Sequence, residues 1–492
     1  MKVPALLLSA GGNSTTNVLL VGTIFLLASL LVILGTKSSS SSSSSVEFVM
    51  PITQSCENSS SNLSVSTNFG PAAAIDPIPA PEEQGTGIHS TVRHLHPFGI
   101  ASYTFVLTGG YRTQRRSFAV VGLAAKSLHV FGKPNFACEW VPDSTTSDSP
   151  SIFGSARKIL PDWGYGRVYT VVVVHCYFKS SVGEDGSGGR LILHAGEKGS
   201  PSPPSKITAL VEAPGSYSPS QFLPKYDYLY CGSSLFGDVN PQRLREWIAY
   251  HAWLFGPRSH FVLHDAGGAR SKGVRLVLEP WVRSGRVTVQ DFREQARFDG
   301  YYHNQFLVVN DCLFRYKHAA NWTFFFDVDE YVHVPGPSTL DSVLNELGQK
   351  YSQIIFKQTP MGHNVCIDSN RTNLSRQWGF EKLVFINVNV QKTLHLERKY
   401  VLRAPLADSA GVHLSQNLRG KSIYSKDHIS YYHFHNTISE HQENCREFVK
   451  VPKHKTSKVW LNKVPYLYDD RLSSLADKVK EFELQTIGPV TL

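Results

Sequence analysis

The sequence predicts an α/β domain with a mixed, mainly parallel sheet, preceded by a β-sandwich-like domain and an N-terminal transmembrane helix. Three observations predict this. Strands and helices alternate from residue 226 onward, short β-prone runs fill residues 91–215, and residues 18–36 carry no charge. Because 492 residues exceed what one hydrophobic core normally supports, we expect two folded domains with extensions.

The N-terminus predicts a membrane anchor. Residues 18–36 are apolar and long enough to span a bilayer, which leaves residues 1–17 as a short cytoplasmic tail. A cleaved signal peptide is the alternative, but only Lys2 precedes the apolar run and no small-residue cleavage site follows it directly. We therefore expect an uncleaved signal anchor and a single-pass type II protein whose folded domains are lumenal.

Residues 37–90 predict a disordered stem. The segment opens with the serine tract Ser38–Ser45 and stays rich in Ser, Asn, Pro and Ala, so it cannot bury enough apolar surface to fold. Sequons on the lumenal side would accept N-linked glycans. The candidate glycosylation sites are Asn58, Asn62, Asn370 and Asn373.

Seven cysteines are too few for a disulfide scaffold in a chain of this length, although a lumenal location permits bridges. Cys231 and Cys312 fall in apolar segments and are predicted to be buried thiols. Cys56, in the stem, is a candidate for an intermolecular disulfide that would make the protein a homodimer.

Residues 91–215 predict an antiparallel, sandwich-like accessory domain. They contain no acid or histidine cluster typical of a catalytic site. Trp140, Trp163 and Tyr165 are candidates for stacking on sugars, although core packing is the commoner role. The domain is therefore either a carbohydrate-binding accessory or a packing support. Its β-prone runs are Tyr103–Leu107, Phe118–Val121, Leu128–Phe131, Val168–Cys176 and Leu191–Ala195.

Residues 226–464 predict a doubly wound α/β domain, followed by a C-terminal tail at 465–492. Tyr226–Cys231 reads as its first strand, Pro241–Phe255 as a helix, and Tyr301–His318 as a long amphipathic helix. Neither GxxxxGK[ST] nor GxGxxG occurs. A bound phosphate would therefore be held by a metal and basic side chains.

An acidic motif follows that long helix, in the segment NWTFFFDVDEYVHVP at Asn321–Pro335. Trp322–Phe326 reads as a strand buried on both faces, so Asp327, Asp329 and Glu330 would lie at its carboxyl end, where ligands bind in open α/β sheets. Clustered carboxylates favour a hard divalent cation with open positions for phosphate oxygens. A solvated acidic turn is the alternative, but it would not need the apolar residues on both sides.

The net charge of +9 is spread along the chain without a long Lys/Arg block, which argues against a nucleic-acid arm and leaves polyanionic ligands plausible. Late basic residues, among them Arg419 and Lys421, are candidates for clamping a diphosphate. The other late lysines are candidates for holding an acidic polysaccharide backbone, with a solvated basic face as the default for most of them.

The chain resembles glycosyltransferase family 92 over roughly 226–464. The motifs that carry the resemblance are LYCGS from Leu229, HFVLHD from His260, QFLVVNDCLFRY from Gln305 and WTFFFDVDEY from Trp322. Within that family it is most similar to the plant galactan β-1,4-galactosyltransferases. The resemblance implies a GT-A fold, UDP-galactose as donor, Mn²⁺, inversion at the anomeric carbon and residence in the Golgi membrane.

The resemblance also assigns site residues. Asp327 and Asp329 match the family's DxD motif, with Glu330 expected to orient them. A late histidine is expected to add a metal ligand: His413, or His433 with its neighbour His435. The donor-binding candidates are Cys231, Gly232, Ser233, Asp265, Asp327, Glu330, Arg419 and Lys421.

An inverting transfer needs one general base near the acceptor hydroxyl. Asp368, Glu381 and Asp408 are the candidates, and the sequence does not choose among them. Glu381 is favoured because Trp378 and Phe380 beside it are candidates for binding the acceptor sugar. The alternative is that Glu381 only pairs with a neighbouring basic residue such as Lys382.

The predicted function is transfer of galactose from UDP-galactose to the growing end of β-1,4-galactan side chains of pectin. The alternatives are a transferase of another UDP-hexose with the same fold, and a catalytically silent polysaccharide-binding protein. A phosphohydrolase that forms an aspartyl phosphate expects DxDx[TV], whereas Tyr331 occupies the fifth position here.

Overall fold

The computed structural model describes residues 84, 87–99, 105–143, 150–368, 377–393, 397–439, 441–442, 445–454 and 456–492. The predicted anchor at 18–36, Cys56 and all four glycosylation candidates lie outside this part. Within it, no helix is both long enough and apolar enough to cross a membrane. The described residues, which all lie within 74–492, form one compact unit.

The accessory domain is an eight-stranded sheet, and its neighbouring strands are all antiparallel, as predicted. Strand β1 (His89–Val92) precedes it. The elements that follow are β2 (His96–Phe98), β3 (Phe105–Gln114), β4 (Ser117–Ala125), α1 (Lys126–Phe131), β5 (Pro134–Pro142), β6 (Ile152–Ile159), β7 (Tyr169–Tyr177), β8 (Gly189–Glu197) and β9 (Ser205–Glu212).

The strand predicted at Leu128–Phe131 was wrong, because this segment is the short helix α1 at the corner between β4 and β5. Trp140 is also not a sugar platform. It is fully buried in the core of the accessory sheet and stacks on Phe118, with ring centroids 5.4 Å apart. A disulfide between Cys138 and Cys176 joins β5 to β7 through the same core.

The α/β domain is built on a nine-stranded mixed sheet. Its elements, with those of two small sheets, are β10 (Tyr226–Cys231), α2 (Pro241–Phe255), β11 (Ser259–Asp265), α3 (Lys272–Arg283), β12 (Val287–Asp291), α4 (Gln305–Arg315), β13 (Ala320–Phe325), β14 (Glu330–His333), α5 (Leu340–Gly348), β15 (Gln353–Pro360), β16 (Val365–Ile367), α6 (Gly379–Lys382), β17 (Phe385–Asn387), α7 (Val388–Thr393), β18 (Arg398–Leu402), β19 (Ser422–His433), β20 (Glu447–Val449), β21 (Lys458–Leu461), β22 (Val464–Tyr468) and α8 (Ala476–Ile487).

The order of the large sheet is β1-β12-β11-β10-β13-β18-β15-β19-β14. The run from β1 to β13 is parallel, whereas β18 lies antiparallel to both of its neighbours. Strand β1 was not predicted, and the expected stem boundary at residue 90 falls inside it. The chain therefore forms one edge of this sheet before it builds the accessory domain.

The two domains share a hydrophobic core. Side chains of α4 pack between the large sheet and strands β3, β4 and β7 of the accessory sheet. Within this interface the guanidinium of Arg93 donates to the carboxylate of Asp311 at 2.7 Å, and both side chains are almost fully buried. The two predicted domains are therefore not independent, because the core around α4 belongs to both of them.

Helix α4 is shorter than the predicted helix at Tyr301–His318. Tyr302, His303 and Asn304 all have positive φ angles, 44°, 53° and 56°, so helical backbone cannot begin before Gln305. The side-chain amide of Asn304 donates to the carbonyl oxygen of Phe298 at 2.8 Å and stabilises this turn. The turn places Gln305 at the start of the helix.

Cys231 and Cys312 form a disulfide between β10 and α4, so the prediction of buried thiols was wrong, although both residues are buried. Spacing in sequence cannot show that a strand and a helix bring two cysteines together. A third disulfide joins Cys366 and Cys445.

The predicted C-terminal tail at 465–492 is largely folded. Strand β22 belongs to a small sheet, and α8 packs on α2. Arg245 of α2 donates to both carboxylate oxygens of Glu483 in α8, with the shortest distance 2.7 Å. A buried bidentate pair of this kind fixes the position of the last helix.

Candidate active site

The three carboxylates of the acidic motif lie at the carboxyl end of β13, in the middle of the sheet. Trp322 and Phe324 pack into the core on the α2 face, and Phe325 packs into the core on the opposite face. The hydroxyl of Tyr230 donates to the carbonyl oxygen of Phe326 at 2.9 Å, which fixes the strand end. We call Asp327, Asp329 and Glu330 the strand-end cluster.

Lys399 neutralises part of this charge. Its Nζ lies 2.6 Å from Oδ2 of Asp327 and 3.5 Å from Oε2 of Glu330, and its side chain is only 2% exposed. Burial alone would lower the pKa of Lys399, but the two carboxylates raise it above its ordinary value. The same ammonium group outweighs burial at Asp327 and lowers the pKa of that carboxyl.

His433 covers the other side of the cluster, because it pairs in register with Glu330 between β19 and β14. Its Nε2 lies 3.4 Å from Oδ2 of Asp329, and its Nδ1 lies 3.7 Å from Oε1 of Glu330. Burial lowers the pKa of His433, but Asp329 and Glu330 raise it to a net value of about 9. Burial raises the pKa of Glu330 to about 7.

Glu330 organises the turn at the base of the cleft. Its carboxylate is 1% exposed and accepts from the backbone N–H of Asp327 at 2.7 Å. The amide of Gln305 donates to Oδ1 of Asp327 at 3.1 Å. Asp327 and Asp329, at 30% and 14% exposed, are therefore the members that a ligand can reach.

A cleft with a cavity volume of ≈ 690 Å³ opens over the strand-end cluster. One wall is the loop after β10, including Ser233, Ser234 and Phe236. Another contains Glu397, Lys399 and the histidines. The accessory domain contributes to the same cleft. The lining residues are Trp163, Tyr165, Ser233, Ser234, Leu235, Phe236, Asp238, Val239, Tyr301, Tyr302, Gln305, Phe306, Asp327, Val328, Asp329, Glu330, Glu397, Lys399, Val412, His413, His433, His435, Asn436, Ile438 and Ser439.

The cleft brings together several predicted residues. Both aspartates of the DxD motif, Ser233, His413 and His433 line it. His413 does not contact the strand-end cluster by a hydrogen bond or ion pair among the described residues, since its Nδ1 lies 3.2 Å from the carbonyl oxygen of Arg398. His433 is therefore the late histidine that faces Asp329, and His435 stacks on it with ring centroids 3.7 Å apart.

Other donor-binding candidates do not line the cleft. Cys231 is buried in its disulfide, and the carboxylate of Asp265 accepts from the backbone N–H groups of Gly267 and Ala269 at 2.8 and 3.0 Å. A Cβ at Gly232 would lie 2.4 Å from the carbonyl oxygen of Phe326, so this glycine allows close packing beside the strand end. These positions serve the framework of the site.

The late basic candidates lie on the surface. Arg419 donates to the carbonyl oxygen of Pro405 at 2.7 Å and lies 3.5 Å from the carboxylate of Asp408. Lys421 is exposed, and neither residue lines the cleft. Lys399 supplies the positive charge at the site instead.

Trp378, Phe380 and Glu381, which we call the helix-turn cluster, also lie away from the cleft. Trp378 and Phe380 are 5% and 2% exposed and pack in the core, so they do not offer a surface to a sugar. Glu381 accepts from the backbone N–H of Trp378 and lies 2.6 Å from Nζ of Lys480 in α8. Glu381 therefore pairs with a basic residue, as the alternative expectation held, but its partner is Lys480 and not the neighbouring Lys382.

The two other candidate bases also point elsewhere. The carboxylate of Asp408 pairs with Arg157 of the accessory domain at 2.8 Å, and its backbone carbonyl oxygen lies 2.7 Å from Nε2 of His175. Asp368 is exposed beside β16 and its backbone N–H donates to Val449. Neither lines the cleft.

Sequence reasoning missed Lys399 and Glu397. A lysine followed by the β-prone run YVL is a signal, because a charged side chain in a buried apolar segment usually has a partner of opposite charge. Glu397 has no such signal. It lies one residue before β18, and the fold of the late strands decides that it reaches the cleft.

The residues present fit a divalent cation through two protein ligands. Asp329 offers a carboxylate oxygen and His433 an imidazole nitrogen, both types of ligand that Mn²⁺ accepts. Among the described residues, no group of three or more His, Cys, Asp or Glu side chains is arranged to hold a metal. The phosphate oxygens of a donor and water would have to complete such a site.

Comparison with known proteins gives a consistent result. The profile of glycosyltransferase family 92 matches residues 226–466. The chain is 52% identical over 400 residues to the galactan β-1,4-galactosyltransferase GALS1 of Arabidopsis thaliana. The aligned region covers 80% of this chain and 79% of that protein. It is 47% identical over 402 residues to GALS3 of the same plant, a protein with the same description, covering 80% of this chain and 77% of that protein.

Proposed function

Because this chain belongs to glycosyltransferase family 92 and is a glycosyltransferase, we propose that it transfers galactose from UDP-galactose to the growing end of β-1,4-galactan. The observation that carries the proposal is a cleft at the carboxyl ends of parallel strands, with Asp329, His433 and Lys399 at its base. The sequence identity of 52% and 47% to two galactan β-1,4-galactosyltransferases supports the choice of UDP-galactose as donor and of β-1,4-galactan as acceptor. The arrangement of the strands supports a GT-A type fold.

The donor diphosphate would bind against the strand-end cluster. We propose that Asp329 and His433 hold Mn²⁺, which when bound would supply positive charge to the diphosphate leaving group. Asp327 keeps its negative charge because Lys399 lies beside it, and it is thereby positioned to accept from a ribose hydroxyl. The hydroxyl groups of Ser233 and Ser234, in the loop after β10, line the same side of the cleft.

Glu397 is the best-supported general base. Besides the strand-end cluster, the described carboxylates that line the cleft are Asp238 and Glu397. Asp238 is 80% exposed and lies 3.2 Å from Nε2 of His441, so it faces solvent. Glu397 lines the cleft together with His413 and His435, so it belongs to the histidine-lined wall.

The reaction is then a single displacement. The 4-hydroxyl oxygen of the terminal galactose forms a bond to the anomeric carbon of the donor, and the bond from that carbon to the diphosphate oxygen breaks. The hydroxyl proton passes to Glu397, and UDP leaves with the electron pair. One base is enough for inversion from an α-linked donor to a β-linkage.

We also propose that the protein is a type II membrane protein of the Golgi, anchored by residues 18–36 with residues 37–90 as its stem. Three disulfides in the described residues support an oxidising, lumenal compartment for the folded part.

The test is an assay of the full chain with a panel of UDP-hexoses, Mn²⁺ and β-1,4-galacto-oligosaccharides. We expect transfer from UDP-galactose, loss of transfer with EDTA, and recovery on adding Mn²⁺. Transfer from another UDP-hexose alone would replace the donor, and acceptor binding without any transfer would support a silent polysaccharide-binding protein.

The base assignment has its own test. Glu397→Gln is expected to lower kcat by about 10²- to 10⁴-fold while the affinity for UDP-galactose stays unchanged. Asp238→Asn, in the same cleft, is the matched control and should keep kcat. If Glu397→Gln retained wild-type kcat, another group must accept the proton.

A further inference from the structure

We propose that Trp163 and Tyr165 of the accessory domain form an acceptor subsite of the catalytic cleft, on which a neutral galactan chain stacks. This inference rests on the proposed function, because it names where the polymer behind the reacting sugar lies. It differs from a separate carbohydrate-binding surface, because both side chains line the same cleft as Asp327 and Asp329.

The first observation is the exposure of large aromatic side chains at this place. Trp163 and Tyr165 are 55% and 67% exposed and form an edge-to-face pair with ring centroids 6.0 Å apart. Tyr301 and Tyr302, in the same cleft, are 46% and 59% exposed. Exposed aromatic groups that are concentrated around one cleft indicate a binding surface.

The second observation is that the loop is built to hold these rings outward. Asp162 is fully buried, and its carboxylate accepts from the hydroxyl of Thr170 at 2.6 Å and from the backbone N–H of Gly164 at 3.0 Å. Trp163 has a φ angle of 51°, in the left-handed region that is unfavourable for a bulky residue. Such strain persists where the surrounding structure imposes it, and it is concentrated at functional sites.

The third observation is that the loop is fixed relative to the catalytic domain. The indole N–H of Trp163 donates to the side-chain oxygen of Gln416 at 3.0 Å. At the base of the loop, the backbone N–H of Tyr169 donates to the carbonyl oxygen of Asp299 at 3.1 Å, and its ring packs edge-to-face on Phe298. Trp163 and Tyr165, which we call the platform, are therefore held against the catalytic domain by contacts at the loop and at its base.

The chemistry of the loop indicates an uncharged ligand. The loop between β6 and β7 carries two charged residues: Asp162 is inaccessible to solvent, and Arg167 lies 3.5 Å from the carboxylate of Asp299 and does not line the cleft. The aromatic rings offer apolar faces, and the C–H face of a galactose ring can pack on such a surface while its hydroxyl groups stay in water. An acidic polysaccharide backbone would instead need basic side chains on the platform. We therefore assign the subsite to neutral β-linked galactose units.

The test compares acceptors of increasing length. In the full chain, the double variant Trp163→Ala with Tyr165→Ala is expected to raise KM at least tenfold for long β-1,4-galacto-oligosaccharides. KM for the shortest accepted oligosaccharide, KM for UDP-galactose and Tm should stay near wild type. If KM for long acceptors were unchanged, or rose equally for all lengths, the proposal would be overturned.

Two further variants separate stacking from folding. Trp163→Phe with Tyr165→Phe keeps aromatic faces, so this double variant should retain at least half of the dependence of KM on acceptor length. Complete loss of that dependence would contradict stacking. Trp460→Ala removes a tryptophan that is 63% exposed on β21 and does not line the cleft, so it should change nothing.

Calorimetric titration with long oligosaccharides distinguishes this proposal from the proposed function. If the wild type binds the long oligosaccharides and the double alanine variant does not, the platform is supported, even if no transfer from UDP-galactose is found. Binding of equal affinity in both proteins overturns the platform and leaves the transferase proposal standing.

Discussion

The strand-end cluster and the helix-turn cluster look alike in sequence but differ in the structure. Each combines buried aromatic residues with a neighbouring acid, in FFFDVDEY and in WGFEK. In the first, two carboxylates emerge where a central parallel strand ends, and a cleft lies over them. In the second, the acid caps its own short helix and pairs with Lys480.

An aromatic neighbour does not by itself turn an acid into a catalytic group. What matters is whether the acid lies at the end of a central strand, where its carboxylate faces a cleft, or elsewhere, where it pairs with another side chain of the protein. Charge supports the same distinction. The strand-end cluster has three carboxylates against Lys399 and His433, so it can accept more positive charge, whereas the single acid of the helix-turn cluster is already matched.

Among substitutions in the two clusters, Asp329→Asn should have the largest effect, because it removes one of the two proposed metal ligands. We expect the transfer rate to fall on the order of 10²- to 10³-fold, together with weaker Mn²⁺ binding measured by calorimetry. Asp477→Asn, on the exposed face of α8, is the control. Equal Mn²⁺ affinity in the wild type and Asp329→Asn would mean that the strand-end cluster does not hold the metal.

The disulfides test whether the two regions differ in coupling to the site. The paired cysteines Cys231 and Cys312 lie 81 residues apart, and Cys366 and Cys445 lie 79 apart. Replacing either pair by alanine should therefore reduce the free energy of unfolding similarly, by about 4 kcal/mol in the loop-entropy treatment.

The kinetic readout should separate the pairs. The disulfide between Cys231 and Cys312 fixes α4, and the first residue of α4, Gln305, donates to the carboxylate of Asp327. We therefore expect removal of this disulfide to raise KM for UDP-galactose. Removal of the other pair should leave KM unchanged. The reverse order would show that the small sheet of β16 and β20 supports the site.

Asp311→Asn should destabilise the interface that holds α4 against the accessory domain, by about 3 kcal/mol, since Arg93 loses its buried carboxylate partner. Burial raises the pKa of Asp311, but Arg93 and Arg315 lower it to a net value of about 2. Because this lies below its ordinary 3.8, the stabilisation is complete above pH 3.8 and is lost as the pH falls through 2.

Denaturation of wild type and Asp311→Asn at several pH values measures this. The difference in the free energy of unfolding should be constant at neutral pH and shrink between pH 4 and 2. A difference that grew on acidification would contradict the ion pair.

Glu381→Gln should have the smallest effect. The loss of the ion pair with Lys480 is expected to reduce stability by about 1 kcal/mol or less, since both side chains are partly exposed, and kcat should stay within twofold of wild type. A loss of kcat above a hundredfold without a change in Tm would restore Glu381 as the base and remove the contrast between the two clusters.

The sequence predicts the strand-end cluster well because its signal is local. Consecutive aromatic residues specify a strand buried on both faces, and the acids follow directly. The sequence could restrict the proposed histidine ligand to a few late histidines. Which of them faces the cluster depends on the register of β19 against β14, and no local pattern in the sequence specifies that register. Lys399 reaches Asp327 through an antiparallel strand that follows 72 residues later in the chain.

The relation between the domains is also non-local. The nearly continuous apolar runs of β4 and β7 indicate strands buried on both faces, but they do not show that one of these faces packs on α4. For the same reason, deletion of residues 91–214 would expose a core that the catalytic domain shares. Point substitutions in the Trp163 loop are therefore the appropriate test of the accessory domain.

The edge strand β1 has a consequence for how the protein is made. Its partner strand is β12, where His89 aligns with Val289, and the whole accessory domain is encoded between them. At a synthesis rate of 5–20 residues per second, β1 emerges on the order of 10–40 s before its partner. During this interval β3, β4 and β7 emerge without α4, so the hydrophobic core that the two domains share can close only after residues 305–315 have been made.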